Sequence, residues 1–223
     1  MFKIVGHRGA AGCEAENTLS SFQKAIDLGC DRTELDVHLS KDNELIVIHD
    51  ATLSRTTTSR ERVKNKTLAE LKQLHCVNGE QLPTLQEVVT FCKNKVSLLI
   101  ELKAAGTPAA VTALVKENDI TDDVIVISFD DTLLKEMEAL NPKIKRGLLF
   151  GRYSKKIERL IESMPLDYLG PKYSAVTPAL VERAHTNSQL VYAYHVNDKK
   201  TGERLLALGV DEIGTDFPEL FIK

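Results

Sequence analysis

The chain has 223 residues, 43% of them hydrophobic and 27% charged, with a net charge of −3. That length suits one large α/β domain or two small ones, and the absence of a basic block or of interleaved aromatic and basic residues argues against nucleic acid as a partner. No apolar run approaches the ~18 residues of a membrane span, and the opening MFKIVGHRG lacks the apolar core of a secretory signal.

In chain order, short β-rich runs alternate with amphipathic segments. FKIVGH reads as a first strand. ENTLSSFQKAIDLG follows as a helix, with Leu19, Phe22 and Ile26 on one face and Gly29 at its stop. TELDV is the second strand, and after a polar turn at Ser40 to Glu44 the run ELIVIHD must fold back on it. A parallel return needs about a dozen residues, far more than this turn supplies. Residues 51–83 are polar and contain a short LAELKQL helix.

Beyond them, SLLIEL, VIVISF, RGLLF, YLGP, LVYAYHV and DEIGTD supply six more strands. The segments TLQEVVTFCK, TPAAVTALVKEN, DDTLLKEMEAL, TPALVERAH and GERLLALG supply helices. Thr84 with Glu87 three residues on forms a capping box, while Thr107 and Thr177, each followed by Pro, read as N-caps. Eight strands with interposed helices predict a (β/α)8 TIM barrel, a single catalytic domain over 1–223 with residues 51–83 as a small insertion or lid after the returning strand. An open doubly wound sheet would need a Gly-rich first turn that is missing. Cys13, Cys30, Cys76 and Cys92 form no CxxC and read as reduced thiols, which points to a cytoplasmic setting.

In a barrel of this kind reactive groups sit at the C-terminal ends of the strands. Glu34 and Asp36, two apart on one strand, share a face, as do Glu101 and Lys103. The acids Glu34, Asp36 and Glu101 form an oxygen-only set suited to one divalent cation, Mg²⁺ or Ca²⁺ and also Mn²⁺. They would equally serve as a salt-bridged network filling the barrel mouth. Arg8 and Lys103 add positive charge suited to a phosphate, though Lys103 could simply neutralise the acids. His7 and His49, from distant strand ends converging on the same acids, suggest an acid and a base working near neutral pH. His38 lies further out, His75 and His185 read as surface residues, and His195 could be core or pocket and stays outside the catalytic set.

With those residues in view, the chain resembles the glycerophosphodiester phosphodiesterase family. The shared motifs are HRGA at 7–10, ENTLSSFQKAIDLG at 16–29, ELDVHLSKD at 34–42, IVIHD at 46–50, LSRTT at 53–57, LPTLQEV at 82–88, IELK at 100–103, SF at 128–129 and GTDFP at 214–218. The resemblance implies a barrel with a small insertion after the returning strand. It also implies cation-dependent hydrolysis of glycerophosphodiesters to glycerol 3-phosphate and an alcohol, by way of a cyclic phosphate or by direct attack of water. Carried over by motif, His7 and His49 would be the acid–base pair, Glu34, Asp36 and Glu101 the metal ligands, and Arg8 and Lys103 the phosphate contacts.

Two positions depart from the family pattern. Ala15 stands where Pro is common, and Tyr194 where Trp is common, in a chain with no Trp. The second departure bears on the shape of the alcohol or glycerol pocket. A short polar insertion favours small soluble diesters over lysophospholipids, the substrates of a phospholipase D-like variant. A metal-dependent aldolase using Lys103, or a non-catalytic ligand-binding barrel, would share the acids but have no use for the histidine pair.

Overall fold

A computed structural model describes residues 2–222. Its single sheet closes on itself. Strands β1 (Lys3–Gly6), β2 (Arg32–Leu39), β4 (Ser97–Leu102), β5 (Val124–Ser128), β6 (Lys145–Phe150), β7 (Tyr168–Pro171), β8 (Leu190–Ala193) and β9 (Glu212–Thr215) are parallel, and β1 pairs with both β9 and β2. This is the expected eight-stranded barrel. The extra strand β3 (Leu45–Val47) runs antiparallel to the overhanging end of β2, with Val37 opposite Val47 and Leu39 opposite Leu45. The short turn thus folds back, as its length requires, and brings His49 down beside the acids of β2.

Helices α1 (Leu19–Asp27), α3 (Leu85–Cys92), α4 (Thr107–Asn118), α5 (Asp131–Leu140), α6 (Lys155–Ser163), α7 (Pro178–Thr186) and α8 (Lys199–Ala207) cover the outside, and α2 (Leu68–Leu71) lies in the insertion. Strand alternation divides the core. Leu35, Val37, Leu98 and Ile100 point outward against Phe22, Val88 and Val111, each such buried side chain contributing about 1.5–3 kcal/mol. Val5, Leu99, Ile125, Ile127, Leu149, Tyr168 and Tyr192 fill the interior. Gly214 faces Tyr192, and a Cβ there would sit 2.2 Å from the phenol oxygen.

The Thr84–Glu87 capping box forms as expected, and Thr177 caps α7. Thr107 does not cap α4. Gly106, at φ 83°, takes that position, and the Thr107 hydroxyl instead donates to the Ala104 carbonyl at 2.6 Å. Helix α6 was not among the segments read from sequence; its signals are the Ser154 N-cap and an apolar row of Ile157, Leu160 and Ile161. LAELKQL is helical only over its first turn, closed by its own Thr67–Glu70 capping box. Residues 51–83 nonetheless have a core, in which Leu53, Val63, Leu71, Cys76 and Leu82 pack beneath Ile46 and Ile48.

Candidate active site

The turn after β1 sets the first group of side chains. Arg8 (φ 50°) and Gly9 (φ 87°) are both left-handed, which folds the chain so that the Arg8 amide donates to Glu34 Oε2 at 2.9 Å. Gly9 has no room for a side chain, since a Cβ would lie 2.3 Å from the Ser21 hydroxyl. The Arg8 guanidinium reaches Glu16 at 2.8 Å and lies 3.2 Å from Asp36. Asn17 donates to the same Asp36 oxygen at 3.0 Å.

Glu34, Asp36 and Glu101 converge as their alternation predicts. All three are buried, and one oxygen from each lies within 4.8 Å of the others. Lys103 stands 2.8 Å from Glu101 and 3.5 Å from Asp36. Burial, with Asp36 and Glu101 close by, pushes the Glu34 carboxyl well above its usual range. Burial and then Asp36 push Glu101 up to about 7. Burial acts the same way on Asp36, but Arg8 and then Lys103 outweigh it and hold that carboxyl below its usual value.

Asp36 Oδ1 is buried with no hydrogen-bond partner, and the side-chain oxygen of Asn17 beside it is likewise unpartnered. An unsatisfied buried oxygen costs about 1–3 kcal/mol, more when charged. Crowded hard oxygens, two of them driven toward protonation, fit a divalent cation of the Mg²⁺, Ca²⁺ or Mn²⁺ type.

The histidines flank this cluster. His7 Nδ1 meets Asp216 at 2.6 Å, leaving Nε2 directed at Glu34 3.9 Å away. His49 Nδ1 meets Asp50 at 2.6 Å. Burial holds His49 below its ordinary pKa against the upward pull of Asp36 and Asp50. Burial would raise Asp216 as well, but the hydrogen bond and charge of His7 prevail and bring it to about 2. His7, Arg8, Glu34, His49 and Glu101 all line one cavity of about 140 Å³, whose remaining walls include Phe129, Tyr194 and His195.

Of the residues singled out by sequence, Asp36 and Lys103 lie outside that cavity's wall. Lys103 contacts the acids from one side and lines the neighbouring cleft. His38 is less peripheral than its position suggested, being buried with Nε2 3.0 Å from the His49 carbonyl oxygen. His195 belongs to the pocket, its ring stacked on His7 with centroids 3.6 Å apart. Asp50 and Asp216 as imidazole partners, and Asn17 as a partner of Asp36, were not assigned from sequence. Asp50 and Asp216 do sit just past strand ends, within the IVIHD and GTDFP motifs, which is the one signal that could have marked them. His195 follows the end of β8, where alternation no longer says which way a side chain points.

The sequence profile of the Glycerophosphoryl diester phosphodiesterase family matches residues 7–220. The chain belongs to that family. It is an enzyme of the phosphoric diester hydrolase class, acting on a small molecule. A glycerophosphodiester phosphodiesterase of Caldanaerobacter subterraneus is 35% identical over 98% of this chain and 96% of its own length. One from Bacillus altitudinis is 34% identical over 100% of this chain and 98% of its own. An Oleispira antarctica phosphodiesterase, solved with the product sn-glycerol-3-phosphate, superposes with a TM-score of 0.91 at 29% identity, covering 97% of this chain and 94% of that one. Among the described residues of this phosphodiesterase no helix is long and apolar enough to cross a membrane.

Proposed function

We propose that the chain hydrolyses glycerophosphodiesters to glycerol 3-phosphate and an alcohol, with His7 and His49 as the acid–base pair and Arg8 and Lys103 as phosphate contacts. The observation that carries this reading is that both imidazoles line the cavity holding Glu34 and Glu101, each with Nδ1 fixed by its own carboxylate. That arrangement leaves both Nε2 atoms to face a substrate. One takes the proton from the attacking oxygen and the other gives a proton to the departing alcohol. The product bound to the Oleispira relative supports the choice of substrate.

Glu34, Asp36 and Glu101 would hold one divalent cation, Mg²⁺ or Ca²⁺ or else Mn²⁺, which when bound supplies Lewis-acid stabilisation of phosphoryl charge. Arg8, fixed by Glu16, presents a guanidinium to the same charge. Ile127, Leu149, Phe129 and Tyr194 offer an apolar wall to the glycerol carbons, in a space that suits a small diester better than one with an acyl chain. In this reading the chain is one catalytic domain, and residues 51–83 act as a lid. Four unpaired cysteines, three of them buried, fit a reducing compartment such as the cytoplasm. Against an aldolase, Glu101 and Asp36 outweigh burial and raise the Lys103 pKa, which keeps its amine protonated and a poor nucleophile.

Release of glycerol 3-phosphate from glycerophosphocholine, with and without EDTA, tests the proposal. His7→Ala and His49→Ala should each lower turnover on the order of 10²–10⁴-fold with the fold intact. No release by the unmodified protein, or near-normal turnover in both variants, would end it.

A further inference from the structure

A second cleft of about 330 Å³ opens beside the catalytic cavity, between the insertion and the loop joining β4 to α4. Its wall includes His38, Ala51, Arg62, Lys64, Lys103 and Ala104, with three fixed cations and no carboxylate among all its lining residues. The adjoining catalytic cavity, by contrast, is lined by two acids. Arg62 and Lys64 are exposed, and among the described residues neither forms an ion pair, whereas Lys66 and Lys72 of the same insertion pair with Glu61 and Glu87. Residues 51–83 hold six Lys and Arg against three Glu, a net +3 within a chain of net −3. The insertion is therefore basic and the rest of the chain acidic.

The cleft borders the residues of the catalytic cavity. Ala51 follows Asp50, the partner of His49, and His38 lies 3.0 Å from the His49 carbonyl oxygen. Lys103 lines the cleft with its side chain ending 3.5 Å from Asp36.

We propose that this cleft is an anion site for the leaving alcohol, and that the enzyme prefers glycerophosphodiesters whose alcohol carries a phosphate of its own. The inference rests on the proposed hydrolysis and adds the substrate class. A phosphomonoester brings nearly two negative charges and three acceptor oxygens, which match one guanidinium and one ammonium. A serine headgroup brings a carboxylate already offset by its ammonium, and choline brings only a positive charge, which Arg62 and Lys64 repel.

The test compares kcat/KM for glycerophosphoinositol 4-phosphate and glycerophosphocholine, in the unmodified protein and in R62A/K64A. Both side chains are exposed, so the double variant keeps the fold. The phosphorylated substrate should be preferred by roughly tenfold at low salt, chiefly through KM, and the preference should fall toward unity in R62A/K64A and at high salt. A phosphate-bearing glycerophosphoglycerol, tried in parallel, separates a phosphorylated cyclitol from a phosphorylated polyol as the better occupant. Preference for either over the choline diester supports the site. No preference, or one that survives in R62A/K64A, overturns it. Should the unmodified protein release glycerol 3-phosphate from none of these, the proposed reaction fails and titration calorimetry with inositol 4-phosphate reads the cleft directly. Binding weakened in R62A/K64A and retained in H7A supports the anion site, whereas equal binding in all three proteins, or none, overturns it.

Discussion

Arg55 Nε donates to Asp50 Oδ2 at 2.7 Å, so a side chain of the insertion holds the carboxylate that orients His49. The same guanidinium binds Glu16, which in turn holds Arg8. A continuous run of charged hydrogen bonds therefore links His49 to Arg8 across the mouth of the barrel. Arg55 itself is 43% exposed at its side chain, so its value is positional; exposed ion pairs contribute little to stability.

Loss of that support should appear in turnover rather than in folding. Asp50→Asn weakens the hydrogen bond that, after Asp36, pulls the His49 pKa upward, and Arg55→Ala frees Asp50 and Glu16 together. On the proposed role of His49, each should reduce kcat by roughly 10–100-fold, the loss seen when the outer partner that orients a functional imidazole is removed from a metal site, with thermal stability little changed. A pH–rate profile checks the assignment, because Asp50→Asn should move the limb governed by His49 to lower pH. An unmoved limb would separate Asp50 from His49.

The acidic cluster predicts a metal effect readable without substrate. Glu34 and Glu101 are raised and Asp36 has an unpartnered oxygen, so a divalent cation should stabilise the fold. At a concentration near 100 times Kd the gain is about 2.7 kcal/mol, seen as a rise in Tm on adding Mg²⁺ or Ca²⁺. Asp36→Asn should abolish that rise and the activity together. A Tm indifferent to every divalent cation would count against the ligand set.

Much of this site was legible before any coordinates. Two-residue spacing on a strand fixed Glu34 with Asp36 on one face, and the shortness of the Ser40–Glu44 turn required His49 to return toward them. What stayed hidden depended on groups distant in sequence or beyond the ends of regular structure. Asp216 meets His7 across 209 positions of chain, which no periodicity encodes. Gly106 displaced Thr107 as the α4 cap because the preceding loop arrives in a left-handed conformation, a property of the loop rather than of the Thr-Pro pair. Helix α6 is hard to read from sequence because its apolar row is narrow and most of its residues are charged or polar.

Asp216 gives a prediction in acid. Its carboxyl, held to about 2 by His7, ionises in the folded protein well below the ~3.9 of an unfolded Asp. The folded state then binds fewer protons, so this contribution to stability is complete above the unfolded value and fades as pH falls from about 4 toward 2. Urea titrations of the protein and of Asp216→Asn should differ at pH 6 and converge near pH 2. At neutral pH the same variant should lose on the order of 10²-fold or more in kcat, because His7 Nδ1 loses the acceptor that fixes its tautomer.

Gly9 tests the turn that delivers Arg8. Its φ of 87° and the 2.3 Å approach of a Cβ to the Ser21 hydroxyl both oppose a side chain. Gly9→Ala should cost about 2–4 kcal/mol, combining backbone strain with a steric clash. A urea midpoint lowered by less than about 0.5 kcal/mol equivalent would show that the turn relaxes freely.

His195 supplies the remaining test, one that separates stability from catalysis. Its ring lies on His7 at 3.6 Å and is half-buried. Burial and then the neighbouring His7 push its pKa down to about 3, against ~6.5 in an unfolded chain. Between those values the unfolded chain holds a proton that the folded one lacks, so stability should rise with pH from about 3 to 6.5 and level off above. His195→Phe keeps a flat ring against His7 and removes the titration. Its stability should therefore vary less over that interval than the parent's, while kcat at neutral pH stays within about fivefold because an imidazole whose pKa lies so far below neutrality is a poor general base there. If the pH dependence of stability were the same in both proteins, His195 would titrate alike in the folded and unfolded chain, and neither burial nor its stacking on His7 would govern it.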